Sequence, residues 1–339
     1  MSDRILCYDS EFVRERSFFP KLSLIQLCQP VCTAVLFDVL LQPDSVPWQM
    51  ILSHPSPLVV HAGIQDLELM RLYGGGKPFV VRDTQVGFAL CSSQMTVSYA
   101  ALVAHFLGIY LDKSQTRSDW LLRPLSERQQ AYAADDVGLL VRLYPLLVAE
   151  LQRLGRLSWW AEECTFLLER QKEERAAWHW YRLQGAPSLC GSEKRVAQIL
   201  TETRERLAEL YDLPRREVLS DQQIIKIAKR RPQQVEAIAE DIGVNHMLWQ
   251  DMAYLTQQFN EDSVLPSVPM SPRLSPNKRR FFEHLCQYTN DVASDLGIHP
   301  DMLASARLLK QFCAKPDSAS RLLTGWRAAF FRDQLEKLL

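Results

Sequence analysis

Apolar positions in the first 85 residues follow two periods in turn. Ile5 to Phe12, Leu22 to Cys28 and Cys32 to Phe37 are short runs rich in β-branched and apolar residues, divided by turn signals such as Gln29-Pro30. They predict three consecutive antiparallel strands. Leu58-Val59-Val60-His61 predicts another short strand, which leads into Ala62 to Tyr73, where Leu67, Met70 and Leu72 recur at helical spacing until Gly74-Gly75-Gly76 stops the helix. Phe79-Val80-Val81 predicts a further strand. Thr84 to Leu111 holds no Asp, Glu, Lys or Arg, but Gln85, Gly87, Ser92, Ser93, Gln94, Thr96 and Ser98 interrupt it. A membrane span needs roughly 18 consecutive apolar residues, so this stretch predicts two buried helices parted near Cys91 to Gln94, the second capped by Thr96. A long helix is predicted from about Glu127 to Leu154, with Ser126 as its N-cap.

Beyond residue 160 strand signals vanish. Ile199, Leu207, Leu210, Ile224, Ile225, Ile227, Ile238 and Ile242 fall into helical segments punctuated by Leu213-Pro214 and Arg231-Pro232. Pro266, Pro269, Pro272 and Pro276 then alternate with Ser263, Ser267, Ser271 and Ser275, the composition of a semi-extended linker. The predicted organisation is an α/β domain over 1–165, a helical domain over 166–265, a linker over 266–276 and a second helical domain over 277–339. Leu210-Tyr-Asp-Leu-Pro and Leu296-Gly-Ile-His-Pro each follow one amphipathic helix and precede another, which suggests a duplicated module.

Composition narrows the classes. With 47% apolar and 23% charged residues the chain is neither disordered nor fibrous. Its net charge of −1 argues against a uniformly basic nucleic-acid coat. Residues 1–150 carry 12 basic and 15 acidic side chains, and 151–339 carry 27 and 25. Eight cysteines without a CxxC pair or regular framework, in a chain that opens without a signal peptide, predict reduced thiols and a cytoplasmic protein with no membrane partner.

The candidate chemistry lies in carboxylates. Asp9 and Glu11, two apart on a strand, emerge on one face and repel unless a cation neutralises them; magnesium or manganese prefers such oxygen ligands. Alone, a DxE pair more often marks the polar edge of an exposed strand. Asp66 alone is explained by the helix dipole. Tyr132 and Asp136, spaced i and i+4, share one helix face while Asp135 points elsewhere. Jointly these four carboxylates and a phenol are the parts needed to hold two divalent ions, Mg²⁺ or Mn²⁺, about 3.5–4 Å apart at a scissile phosphate. One such ion activates water and the other stabilises charge on a leaving oxygen, while a phenol of ordinary pKa about 10 is a poor base at neutral pH.

The segments Asp9-Ser-Glu-Phe-Val-Arg-Glu-Arg, His61-Ala-Gly-Ile-Gln-Asp-Leu-Glu, Leu111-Asp-Lys-Ser-Gln-Thr-Arg-Ser-Asp-Trp and Arg123-Pro-Leu-Ser-Glu-Arg-Gln-Gln-Ala-Tyr-Ala-Ala-Asp-Asp-Val resemble bacterial ribonuclease D, of the tyrosine subtype of DEDD exonucleases. The helical remainder resembles the paired HRDC-type domains of that family. The resemblance implies a ribonuclease H-like exonuclease fold, a mixed sheet flanked by helices, followed by two all-α HRDC-like domains. It implies Asp9, Glu11, Asp66 and Asp136 as metal ligands and Tyr132 beside the attacking water. It further implies a 3′–5′ exoribonuclease that releases 5′ mononucleotides, acts on RNA with a free 3′ end, transfer-RNA precursors above all, and works as a monomer. Ser10 stands where family members often have Thr. The histidine subtype would place His five residues before the last Asp, and Arg128 to Ala131 contains none.

Four more residues are candidate substrate contacts: Phe12, next to the DxE pair; His61, at a strand end near Asp66; and Lys113 and Arg117, in a polar loop shared with the family. Core packing explains Phe12 and His61 equally well. Arg215-Arg216, Lys229-Arg230-Arg231 and Lys278-Arg279-Arg280 are candidate phosphate contacts. A DNA 3′–5′ exonuclease uses the same carboxylates, and a non-catalytic RNA-binding scaffold could share the fold; nothing in the sequence announces recognition of a 2′ hydroxyl.

Overall fold

A computed structural model describes residues 5–112, 118–170, 180–232, 234–242, 246–260, 274–316 and 320–336. Lys113, Arg117 and most of the Pro/Ser segment lie outside the described residues. The chain packs as two compact units, one of Met1–Glu11, Leu22–Gln171 and Ser271–Leu339, the other of Phe12–Lys21 and Lys172–Met270.

In the first unit, strands β1 (Leu6–Val13), β2 (Lys21–Cys28), β3 (Val35–Asp38), β4 (Leu58–Val60) and β5 (Val81–Asp83) form one sheet in the order β3-β2-β1-β4-β5. β2 and β3 run antiparallel, while β1, β4 and β5 run parallel, which makes the sheet mixed. Parallel neighbours need crossovers, and helices supply them: α1 (Trp48–Leu52) precedes β4, and α2 (Ile64–Gly74) joins β4 to β5. Gly75 ends α2 at φ 72°, a left-handed cap that glycine adopts without strain. The fifth strand lies two residues beyond its predicted start. Val81, Arg82 and Asp83 pair with Leu58, Val59 and Val60, and Phe79 is left exposed, so pairing with β4 outweighs the local Phe-Val-Val run.

The uncharged stretch forms two helices, α3 (Thr84–Ala89) and α4 (Tyr99–Leu107). Ser98, rather than Thr96, caps the second, its hydroxyl accepting from the Ala101 N–H. α5 (Glu127–Arg153) opens with a capping box of Ser126 and Gln129. It buries Val137, Leu140, Leu143, Leu147 and Leu151 at helical spacing against α3, α4 and α6 (Leu157–Arg170).

The same core continues into the C-terminal helices α12 (Pro276–Leu296), α13 (Pro300–Leu303), α14 (Ala306–Ala314), α15 (Ser320–Leu323) and α16 (Ala328–Glu336), through Leu285, Phe312, Leu322, Trp326 and Phe331. Trp326 stacks on Trp159 of α6 at 4.4 Å, and its backbone N–H donates to Glu162. Gly325 precedes Trp326 at φ 56°, a left-handed conformation that favours glycine.

In the second unit α7 (Gly191–Leu210) packs against α9 (Asp221–Arg230), with α8 (Arg215–Val218), α10 (Ala239–Ile242) and α11 (Met252–Asn260) around them. α7, α8 and α9 repeat in kind as α12, α13 and α14: a long helix, a one-turn helix, and a short amphipathic helix capped by Ser220 or Ser305. No described helix is long and apolar enough to cross a membrane.

Candidate active site

β1 pairs with β4 at Leu6–Leu58 and Cys7–Val59, so Asp9 and Glu11 lie beyond the paired stretch, half-buried on one face of the strand. Asp136 comes from α5, buried one turn beyond Tyr132. One carboxylate oxygen from each of Asp9, Glu11 and Asp136 falls within 4.8 Å of the others. Asp66, buried in the first turn of α2, stands outside this trio but close enough to raise the pKa of Asp9 and Glu11. It accepts a hydrogen bond from the Ser10 hydroxyl. Ser10, on the strand face opposite Asp9 and Glu11, therefore ties Asp66 to β1.

Burial dominates the electrostatics. It pushes Asp9 well above the carboxylate range, and Asp66, Asp136 and Glu11 push it further. Burial, with Asp136 and Asp66, raises Glu11 to about 8. Burial raises Asp66 to about 7 against the opposing Ser10 hydrogen bond. Burial raises Asp136 to about 7 although the Tyr132 hydroxyl donates to it. None of the four is in an ion pair with a described lysine or arginine. An all-oxygen donor set, crowded, buried and without a counter-cation, fits a hard divalent ion.

Tyr132 also packs beside Trp120, 6.1 Å between ring centroids. The preceding segment is fastened by Arg123, which grips both oxygens of Asp38 and donates to the carbonyls of Trp120 and Leu122 and to Ser23. The structure does not bring His61 into the cluster as a free group. Its Nδ1 meets the Thr84 hydroxyl at 3.0 Å and its Nε2 the Val97 carbonyl at 3.1 Å, and burial lowers its pKa, which favours the neutral ring with Nε2–H donating. Phe12 is half-buried on β1. Several basic residues named as phosphate contacts have acidic partners: Arg215 with Glu205, Arg230 with Asp241, each at 2.7 Å, and Arg231 with Glu193 at 2.7 Å. Lys278 donates to the Ala314 carbonyl.

Two groups near the site were not singled out in the sequence. The Tyr99 hydroxyl donates to the Asp136 carbonyl and props the helix turn that bears the ligand. Asp83, at the end of β5, accepts from the backbone around Ala62 and Gly63 just before Asp66. Their partners lie 37 and 21 residues away along the chain, so neither pairing leaves a local signal.

Comparison with known proteins identifies the family. Residues 4–152 match the 3′–5′ exonuclease family and residues 193–253 match the HRDC domain. Ribonuclease D of Gluconacetobacter diazotrophicus is 33% identical over 96% of this chain and 85% of its own length, and ribonuclease D of Escherichia coli is 31% identical over 98% and 92%. The crystal structure of Escherichia coli RNase D, described as an exoribonuclease involved in structured RNA processing, superposes with a TM-score of 0.81 at 28% identity, covering 99% of this chain and 92% of that one. The chain belongs to the ribonuclease D family.

Proposed function

We propose that this chain is a metal-dependent 3′–5′ exoribonuclease whose site is built from Asp9, Glu11, Asp66, Asp136 and Tyr132. The observation that carries this reading is the convergence of the Asp9, Glu11 and Asp136 oxygens within 4.8 Å, beside a tyrosine hydroxyl bonded to Asp136. Asp9, Glu11, Asp66 and Asp136 would hold two divalent cations, Mg²⁺ or Mn²⁺. When bound, such ions lower the pKa of water and stabilise charge on a leaving oxygen. Asp9 and Glu11, set on a strand, and Asp136, set on a capped helix, hold their oxygens in place before substrate arrives. Tyr132, anchored through Asp136, orients the attacking water.

The proposed substrate is RNA with a free 3′ end, transfer-RNA precursors in particular, shortened by one 5′ mononucleotide at a time in the cytoplasm by a monomer. The comparison with a relative involved in structured RNA processing supports it. Residues 277–339 are read as a second HRDC-like domain, on the recurrence of the α7-α8-α9 order in α12-α13-α14. Asp9→Asn tests the site. Removing one ligand forfeits several kcal/mol of transition-state charge stabilisation, so hydrolysis of a 3′-hydroxyl RNA in Mg²⁺ should fall by about 100-fold or more. Undiminished hydrolysis refutes the metal assignment, and faster hydrolysis of a matched DNA strand refutes the RNA preference.

A further inference from the structure

A second buried carboxylate, Asp83, stands behind Asp66. It is 2% exposed, and its two oxygens accept from four backbone N–H groups. Oδ1 accepts from Gln85 at 2.8 Å, Ala62 at 3.1 Å and Val86 at 3.3 Å, and Oδ2 accepts from Gly63 at 2.9 Å. The bonds to Gln85 and Val86 are an ordinary N-cap for α3. The bonds to Ala62 and Gly63 are not, because those residues form the turn from β4 into α2, some twenty positions back along the chain.

That turn needs holding. Ala62 has φ 53°, a left-handed conformation that alanine rarely adopts. Gly63 has no room for a side chain, since a Cβ there would lie 2.4 Å from Val60 Cγ2. Asp66 follows Gly63 by three residues in the first turn of α2, so any relaxation of the turn moves its carboxylate. Asp83 is itself fixed from α6: Trp160 Nε1 donates to its carbonyl at 2.8 Å, and its N–H donates to Cys164 Sγ at 3.3 Å.

We propose that Asp83 is a positioning residue for the metal site: its carboxylate clamps the Ala62–Gly63 turn and thereby aims Asp66 at Asp9 and Glu11. The inference rests on the reading of those carboxylates as the metal site. Asparagine spares the cap and strikes the clamp at Gly63. With Oδ1 retained at the N-terminus of α3, the cap and the Ala62 bond survive, but Nδ2 then faces the Gly63 N–H, donor against donor, and the turn loses one of its two bonds to Asp83.

The test measures Mn²⁺ binding to the full-length protein without RNA, by titration calorimetry, alongside kcat and KM on a 3′-hydroxyl RNA. A group that orients a metal ligand from behind is worth about 10- to 100-fold in metal affinity or activity. Asp83→Asn is therefore expected to weaken Mn²⁺ binding and to lower kcat/KM by that factor. Leu309→Ala, a core truncation in α14, serves as the comparator: it lowers thermal stability but should leave Mn²⁺ affinity native. Asp83→Asn that binds Mn²⁺ and turns over as the parent does, or that loses both only in step with Leu309→Ala, overturns the proposal. If Asp83→Asn does not fold, Trp160→Phe decides, since it removes the N–H that fixes the Asp83 carbonyl, with the accompanying loss of buried ring volume controlled by Leu309→Ala; Mn²⁺ binding weaker than in Leu309→Ala supports the proposal and native binding overturns it. Asp9→Asn tells the two failures apart. Native Mn²⁺ affinity in Asp9→Asn overturns the metal site and this inference together, whereas loss there with native binding in the Asp83 and Trp160 variants overturns this inference alone.

Discussion

Replacing Glu163 with glutamine should lower the melting temperature of the whole sheet-bearing unit. Glu163 lies on α6 and is 7% exposed; it accepts from Trp326 Nε1 at 2.9 Å and pairs with Arg327 and Arg321. Arg327 is 3% exposed, and it also donates to the neutral carbonyls of Met302 at 2.7 Å and Leu303 at 2.8 Å. Glu163→Gln therefore leaves a buried guanidinium without countercharge, which costs about 3–5 kcal/mol. Arg321, more exposed, can turn to water and adds little. At roughly 2–4 °C per kcal/mol for a unit of this size, the melting temperature should drop by about 6–20 °C. The pair joins α6 to α15 and α16 across a continuous core, so differential scanning calorimetry of the full-length protein should show α4–α6 and α12–α16 unfolding in one transition that moves as a whole. Trp326→Phe loses one hydrogen bond to a buried carboxylate and part of the ring stacked on Trp159, so it should cost about 2–3 kcal/mol. A drop below about 3 °C for Glu163→Gln, or an early transition of the C-terminal helices with the rest unmoved, would refute the reasoning.

The carboxylates set a pH dependence whose sign follows from their raised pKa values. Glu11 near 8 and Asp66 and Asp136 near 7 bind protons more tightly in the folded chain than in the unfolded one, so in EDTA stability should fall as pH rises from about 4 to 8, and Mg²⁺ should flatten that slope. Thermal melts across this range check it, and a rising slope in EDTA contradicts it. Mn²⁺ binding at pH 7 should release protons, seen as a buffer-dependent calorimetric enthalpy; buffer independence would count against protonated ligands. Arg123→Lys should destabilise by about 2–3 kcal/mol, because an ammonium cannot grip both Asp38 oxygens and the Trp120, Leu122 and Ser23 oxygens together. Urea unfolding within about 0.5 kcal/mol of the parent, the usual effect of a surface change, would remove that network from the account.

The parts of the site set by local periodicity were legible in the sequence. Asp9 and Glu11 share a face because a strand repeats every two residues, and Tyr132 and Asp136 share one because a helix turn is near four. Groups whose partners are distant in sequence were not. Tyr99 reaches Asp136 across 37 residues and Asp83 reaches Ala62 across 21, and neither pairing leaves a periodic trace. The same limit displaced the fifth strand, whose register is decided by β4 rather than by its own apolar run. The apolar face of α12 was readable as amphipathic, but not that it would meet the core shared by α4, α5 and α6.

The near-zero net charge acquires a different meaning once its distribution is known. In the helical unit several bases are held by acids: Arg215 by Glu205, Arg204 by Asp221, Arg230 by Asp241, Arg231 by Glu193. At the ends of β1 and α5 the acids find no described cation, and burial leaves them protonated into the neutral range instead. Two divalent ions would bring +4 to residues 1–150, whose balance is −3. Attraction for phosphate would then arise at the catalytic centre only when metal displaces those protons. Affinity for the 3′ end and competence to cleave it come from the same ions, so removing metal should abolish both together.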